Sequence, residues 1–226
     1  MPLKAVLFDL DGTLLDTAPD FVVVVNALLA EHNKPALPAD LIRATVSNGA
    51  RALVQLAFGL QEGEPGFEPL RLRLLELYSA NLAVETRPFP GIIPLLEHLQ
   101  AHDIGWGIAT NKPEVYTTPL LSALSFPSPP GSVICPDHVT ERKPHPESIY
   151  LACEQLACKP QEVVYIGDHQ RDIACGNNAG VPTIGALYGY IEADDDPVSW
   201  RATHLVRHAD EIWPLLQPYI NADTAN

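Results

Sequence analysis

The sequence predicts an α/β protein whose parallel sheet is covered by helices on both faces and interrupted once by a helical unit. Three observations carry this reading. Short apolar runs rich in Val and Ile, at residues 4–8, 104–109, 163–166 and 182–185, stand between turn signals and helical patterns. Strands joined through helices run parallel, which buries both faces of the sheet. Between residues 17 and 83 the alternation stops, and apolar residues recur only at three- and four-residue spacing. The chain of 226 residues suffices for one full core plus a smaller inserted unit.

In chain order, the first strand at 4–8 opens the sheet, and helices are expected over 21–29, 40–46, 50–58 and 70–82. The first of these is apolar on nearly all sides; the others carry recurrent apolar positions. Gly63, Pro65 and Gly66 mark the turn between the last two, and Arg87-Pro88-Phe89-Pro90-Gly91 marks the return to the sheet before a helix over 92–102. The strand at 104–109 precedes a helix over 113–124, and the strand at 163–166 one over 170–179. The division expected is a core of residues 1–16 and 84–226 with a helical unit of 17–83, hinged near 15–18 and 82–85. The acidic run 192–197 reads as a solvated loop, and the polar end after Ile220 as disordered.

Composition removes several functions. With 14 Lys and Arg against 28 Asp and Glu, the net charge of -14 opposes a nucleic-acid backbone or an anionic membrane. A small anion must instead be met by a metal ion and a few local cations. The N-terminal apolar stretch is too short for a leader or an anchor, so the expected location is cytoplasmic. Cys135, Cys153, Cys158 and Cys175 form neither a CxxC pair nor a disulfide framework, and read as reduced packing residues.

Four signals fall at or between strand ends, where parallel sheets bind ligands. In Phe8-Asp9-Leu10-Asp11-Gly12-Thr13 two carboxylates two residues apart point the same way, and Gly12 permits a sharp turn and close approach of N–H groups to an anion. Thr110-Asn111 follows the second strand, Lys143 precedes Pro144, and Tyr165-Ile166-Gly167-Asp168 is followed four residues later by Asp172. Each has a plain structural alternative: a turn, a helix cap, a solvated lysine.

Taken in order, Asp-x-Asp-Gly-Thr, Thr-Asn, Lys-Pro and Gly-Asp-x-x-x-Asp resemble the four motifs of the haloacid dehalogenase superfamily. The resemblance covers essentially the whole chain and implies a Rossmann-like parallel sheet core with an inserted helical cap domain. It further implies an Mg²⁺-dependent phosphatase in which Asp9 is the nucleophile and Asp11 the general acid and base. Asp9, Asp11 through its carbonyl, Asp168 and, through water, Asp172 would hold Mg²⁺. Lys143 and Thr110, with Gly12 and the amides near Leu10, Asp11 and Asn111, would hold the phosphate. The second acid, Asp11, argues against a carbon–halogen hydrolase, whose leaving group needs no proton. A sugar phosphomutase, which uses the same pair, stays open, as does a non-catalytic binding protein. Asn48, Gly49 and Arg51, in a cap loop expected to face the site, are candidate contacts to the rest of a small phosphorylated metabolite. In Asn48-Gly49-Ala50-Arg51-Ala52, Ile134-Cys135-Pro136-Asp137-His138-Val139 and Gly189-Tyr190-Ile191-x-x-Asp194-Asp195-x-Pro197 with Trp200 after it, the chain resembles the phosphoglycolate phosphatase-like group, and within it bacterial N-acetylmuramic acid 6-phosphate phosphatases. Both substrates carry a carboxylate, which would give Arg51 a partner.

Overall fold

The computed structural model describes residues 2–220; the polar end after Ile220 lies outside them. In chain order the elements are β1 (Ala5–Phe8), β2 (Leu15–Asp16), α1 (Ala18–Glu31), α2 (Ala39–Thr45), α3 (Gly49–Phe58), α4 (Phe67–Ala80), β3 (Arg87–Pro88), α5 (Ile92–Ala101), β4 (Gly105–Ala109), α6 (Glu114–Ser122), β5 (Ser132–Ile134), α7 (Glu147–Gln155), β6 (Val163–Gly167), α8 (Gln170–Ala179), β7 (Thr183–Ala186), β8 (His204–Val206) and α9 (Ile212–Ile220).

Six strands form one parallel sheet in the order β5-β4-β1-β6-β7-β8. The chain builds outward from β1 on one side through β4 and β5, then crosses to β6 on the other. This reversal leaves a crevice at the carboxyl end of β1, flanked by the ends of β4 and β6. The two-residue alternation of a strand divides the core. Val6 and Phe8 pack on the side of Leu95, Leu96, Leu99 and Leu216, whereas Ala5 and Leu7 pack with Ile149, Ala152 and Cys175.

Helices α1 to α4 occupy the whole span between β2 and β3. Their apolar faces, including Leu28, Leu53, Leu74 and Tyr78, join the same cluster as Val6 and Phe8. Burial of each such side chain favours folding by about 1.5–3 kcal/mol. The connectors on either side of these helices run together: β2 pairs antiparallel with β3, Leu15 opposite Pro88 and Asp16 opposite Arg87. Asp20, fully buried, reinforces the pairing by accepting from Thr86 Oγ1 at 2.6 Å and Glu85 N at 2.7 Å.

Strands β5 and β8, of three residues each, and helices α7 and α9 are additions to the sequence reading. The acidic run 192–197 is more ordered than a plain solvated loop. Asp196 caps the turn beginning at Pro197, and Asp195 accepts from the indole of the buried Trp200 at 2.9 Å. All four cysteines are free thiols; Cys158 is half-buried and the other three are buried. No helix among the described residues is long and apolar enough to cross a membrane.

Candidate active site

The crevice collects residues from four strand ends. Asp9 and Asp11 follow β1, Thr110 to Lys112 follow β4, Lys143 lies between β5 and α7, and Asp168 directly follows β6 with Asp172 in the first turn of α8. Lys143 is the hub. Its ammonium, nearly shut off from solvent, donates to Asp9 Oδ1 and Asp172 Oδ1, both at 2.7 Å, and to the Tyr165 hydroxyl at 3.1 Å. Burial opposes its charge, but Asp172 and Asp9 outweigh burial and leave the lysine harder to deprotonate than usual.

Three acids crowd together here: Asp9, Asp168 and Asp172 each offer an oxygen within 4.8 Å of the others. Burial, and then the charge of Asp172, push the Asp9 carboxyl up to about 6, against the pull of Lys143. Burial and the charges of Asp9 and Asp172 push Asp168 up to about 8. Buried like charges of this kind call for a cation. Asp168 is oriented by Thr13 Oγ1 at 2.9 Å, the Tyr190 amide at 2.9 Å and Ser47 Oγ at 3.3 Å. Asp172 Oδ2 accepts from the His169 amide at 3.1 Å, closing a capping box at the start of α8.

Asp11 does not share the cluster. Its carboxylate is held by Lys112 Nζ at 3.0 and 3.2 Å and by Thr17 Oγ1 at 2.6 Å. Lys112 carries no recognisable motif beyond its place after Thr110-Asn111, and is a site residue that the sequence does not single out. His169, whose role the sequence leaves open, accepts from the Arg171 amide and Nε, both at 3.1 Å. Burial and the neighbouring Arg171 lower its basicity to about 4, so it acts as a neutral acceptor. Arg171, also unforeseen, reaches across to the loop between α2 and α3, donating to Ser47 O at 3.1 Å and Asn48 Oδ1 at 2.6 Å.

Gly12 and Asn111 are both held within the chain. Gly12 does not offer its amide to an anion, because that N–H donates to Leu15 O at 3.0 Å. Its positive φ of 85° and missing side chain serve packing: a Cβ would lie 2.1 Å from Asp168 Oδ2. The Asn111 side chain is also spent internally, accepting from Lys143 N at 3.2 Å and donating to Lys143 O at 3.3 Å. It thereby ties the Lys143 backbone to the β4 loop. Thr110 Oγ1 accepts the Lys112 amide at 3.1 Å, which leaves its hydroxyl proton available. Among the described residues the amides of Leu10, Asp11 and Asn111 have no acceptor within the chain.

The cleft above these groups has a volume of about 290 Å³ and is lined by Asn48 from the loop after α2, by Gly49 and Arg51 in the first turn of α3 and by Tyr78 and Arg71 of α4. Arg51, Arg71, Lys112, Arg142, Lys143 and Arg171, six of the chain's 14 lysines and arginines, line it against the acids Asp9, Asp11 and Asp172. An acidic chain has therefore gathered cations at one place. Arg51 is exposed and paired with Glu62 at 2.8 Å. Asn48 bonds Glu192 as well as Arg171.

Residues 6–186 match the family model of haloacid dehalogenase-like hydrolases. The chain is 45% identical over 216 residues to an N-acetylmuramic acid 6-phosphate phosphatase of Pseudomonas aeruginosa, covering 96% of each chain. It is 39% identical over 210 residues to a phosphoglycolate phosphatase of Xanthomonas campestris, covering 93% of this chain and 95% of the relative. Among solved structures, that of a predicted phosphoglycolate phosphatase from Haemophilus somnus superposes with a TM-score of 0.80 at 27% identity, over 94% of this chain and 97% of the other.

Proposed function

The chain belongs to the haloacid dehalogenase-like hydrolases and is a phosphatase, and from that premise we propose that it hydrolyses a carboxylated sugar phosphate through an aspartyl-phosphate on Asp9. In the first step an Asp9 oxygen attacks phosphorus. The bond from phosphorus to the ester oxygen breaks, and that oxygen keeps the electron pair and takes the proton of the Asp11 carboxylic acid, leaving as an alcohol. In the second step Asp11, now ionised, takes a proton from water, whose oxygen attacks the same phosphorus. The bond from phosphorus to Asp9 breaks, returning the carboxylate and releasing phosphate. The separation of Asp11 from the acid cluster, on its own lysine and threonine, supports this division of work.

Asp9, Asp168 and Asp172 make a hard, all-oxygen donor set, which fits Mg²⁺. Asp9, Asp168 and the Asp11 carbonyl would hold it, with Asp172, already bonded to Lys143, reached through water. When bound, Mg²⁺ supplies positive charge to the phosphoryl oxygens and relieves the repulsion among the acids. Lys143 supplies a point charge beside the nucleophile and the phosphate, and the Thr110 hydroxyl and the amides of Leu10, Asp11 and Asn111 would hold the equatorial oxygens, each well-placed donor contributing roughly 2.7–4 kcal/mol to the transition state. We read helices α1 to α4, residues 17–83, as a cap over this site. A cytoplasmic location fits the free thiols.

The gathering of six cations around a cleft of about 290 Å³ is the observation that carries the substrate reading. Phosphoglycolate, a two-carbon acid, would leave much of that space to water, whereas N-acetylmuramic acid 6-phosphate offers a sugar ring and a carboxylate for Arg51. The test compares kcat/KM for N-acetylmuramic acid 6-phosphate, N-acetylglucosamine 6-phosphate, which lacks the carboxylate, and phosphoglycolate. We expect the first to be preferred over each by at least about tenfold, the equivalent of one charge-assisted contact. Arg51→Ala should erase the margin over N-acetylglucosamine 6-phosphate. Equal rates on the two sugars, or a preference for phosphoglycolate, would refute it.

A further inference from the structure

We propose that Lys112 is the positioning residue of Asp11, and that the helical unit takes part in placing the general acid through it. The proposal rests on the reading of Asp11 as acid and base. Lys112 is almost fully buried. Its ammonium lies 3.0 and 3.2 Å from the two Asp11 oxygens and 2.8 Å from the Tyr78 hydroxyl. It also stands over two rings, 5.3 Å from the centre of Phe21 and 4.7 Å from that of Tyr78. The ring partners and the hydroxyl come from α1 and α4; the carboxylate comes from the loop after β1. One cation thus spans the seam between the helices and the sheet.

The lysine itself has little freedom. Its amide donates to Thr110 Oγ1 at 3.1 Å, and its carbonyl accepts from Thr117 Oγ1 at 3.2 Å. Gripping both oxygens fixes the plane of the Asp11 carboxylate. Thr17 Oγ1 donates to Oδ1 only, at 2.6 Å, so Oδ1 has two donors and Oδ2 has Lys112 alone. Oδ2 is accordingly the oxygen free to exchange a proton with the leaving alcohol and with water. The other active-site lysine cannot substitute, because Lys143 is committed to Asp9, Asp172 and Tyr165.

A residue that acts through the general acid should matter in proportion to the proton the leaving group needs. An alkyl alkoxide needs one; p-nitrophenolate does not. Hydrolysis at Asp9 is common to every ester, so the experiment compares kcat/KM, which reports only the steps through loss of the alcohol, together with KM, for the natural protein, Asp11→Asn, Lys112→Met, Lys112→Arg and Tyr78→Phe on two esters. One is p-nitrophenyl phosphate, and the other is whichever of N-acetylmuramic acid 6-phosphate and phosphoglycolate the natural protein hydrolyses. Asp11→Asn should lose about 10²–10⁴-fold in kcat/KM on the alkyl ester and far less on the aryl one, the range expected of general acid–base catalysis. Lys112→Met should show the same selective loss, about 10²-fold, with KM little changed; Lys112→Arg should recover part of it, and Tyr78→Phe should show the same pattern at roughly threefold to tenfold. A selective loss in Asp11→Asn alone, with Lys112→Met equally impaired on both esters or altered only in KM, would overturn the proposal while leaving Asp11 as the acid. A non-selective Asp11→Asn would remove that reading, and this proposal with it. If Lys112→Met does not fold, the ester ratio of Tyr78→Phe decides, and an unchanged ratio overturns the proposal.

Discussion

The floor and the roof of the cleft are built differently. On the floor, Asp168, Asp172 and Lys143 are buried, and each has at least two hydrogen-bond partners contributed by different segments. On the roof, Arg51 and Arg71 are on helices; Arg51 is exposed and pairs with the exposed Glu62, and Arg71 is half-buried and pairs with the exposed Glu68. Burial makes the floor's charges depend on one another, because none has water to fall back on. Exposure lets each roof charge be exchanged singly. On the proposed mechanism, the difference assigns the chemistry to the ends of the sheet and leaves substrate preference to the helices, where it can change without disturbing the floor.

Lys143→Met should break this contrast most severely. It leaves Asp9 and Asp172 buried without their cation, and should cost about 3–5 kcal/mol in urea unfolding at neutral pH. A midpoint equal to that of the natural protein would contradict the mutual dependence of the floor. A smaller effect concerns Mg²⁺ and pH. The carboxyls of Asp9 and Asp168 are raised to about 6 and about 8. Without metal, their contribution to stability is therefore fully present below about pH 4 and lost as pH rises through 6 and 8. Mg²⁺ must displace those protons, so its stabilising effect should grow with pH, giving a larger rise in Tm at pH 9 than at pH 6. Equal rises at both pH values would contradict it. At the small end, Arg51→Ala should shift unfolding by no more than about 0.5 kcal/mol while changing substrate preference, which sharpens the division between the two surfaces.

The floor was legible in the sequence because parallel strands deliver their following residues to one edge. Asp9, Thr110, Asp168 and Asp172 stand after apolar runs that any reading of the chain would make strands, so their convergence follows from topology. Lys112 and Arg171 were not legible. Each resembles a solvated cation beside a helix start, and only the packing of Tyr78 and of the Ser47-Asn48 loop gives it a partner. That the Gly12 N–H and the Asn111 carboxamide are taken up inside the chain was not legible either, because the acceptor of an amide or the partner of a carboxamide depends on loop geometry. Strands β2, β3, β5 and β8, two or three residues long, are too short for alternation to show.

The central claim is that Asp9 attacks phosphorus, and trapping the intermediate tests it most directly. The protein is mixed with substrate and Mg²⁺, quenched within one turnover, reduced with borohydride and digested for mass spectrometry. An acyl phosphate is reduced to an alcohol, so residue 9 should appear as homoserine in the natural protein and remain unmodified when substrate is omitted. Homoserine at another aspartate position, or an unmodified residue 9 in a sample shown to be turning over, would contradict the account.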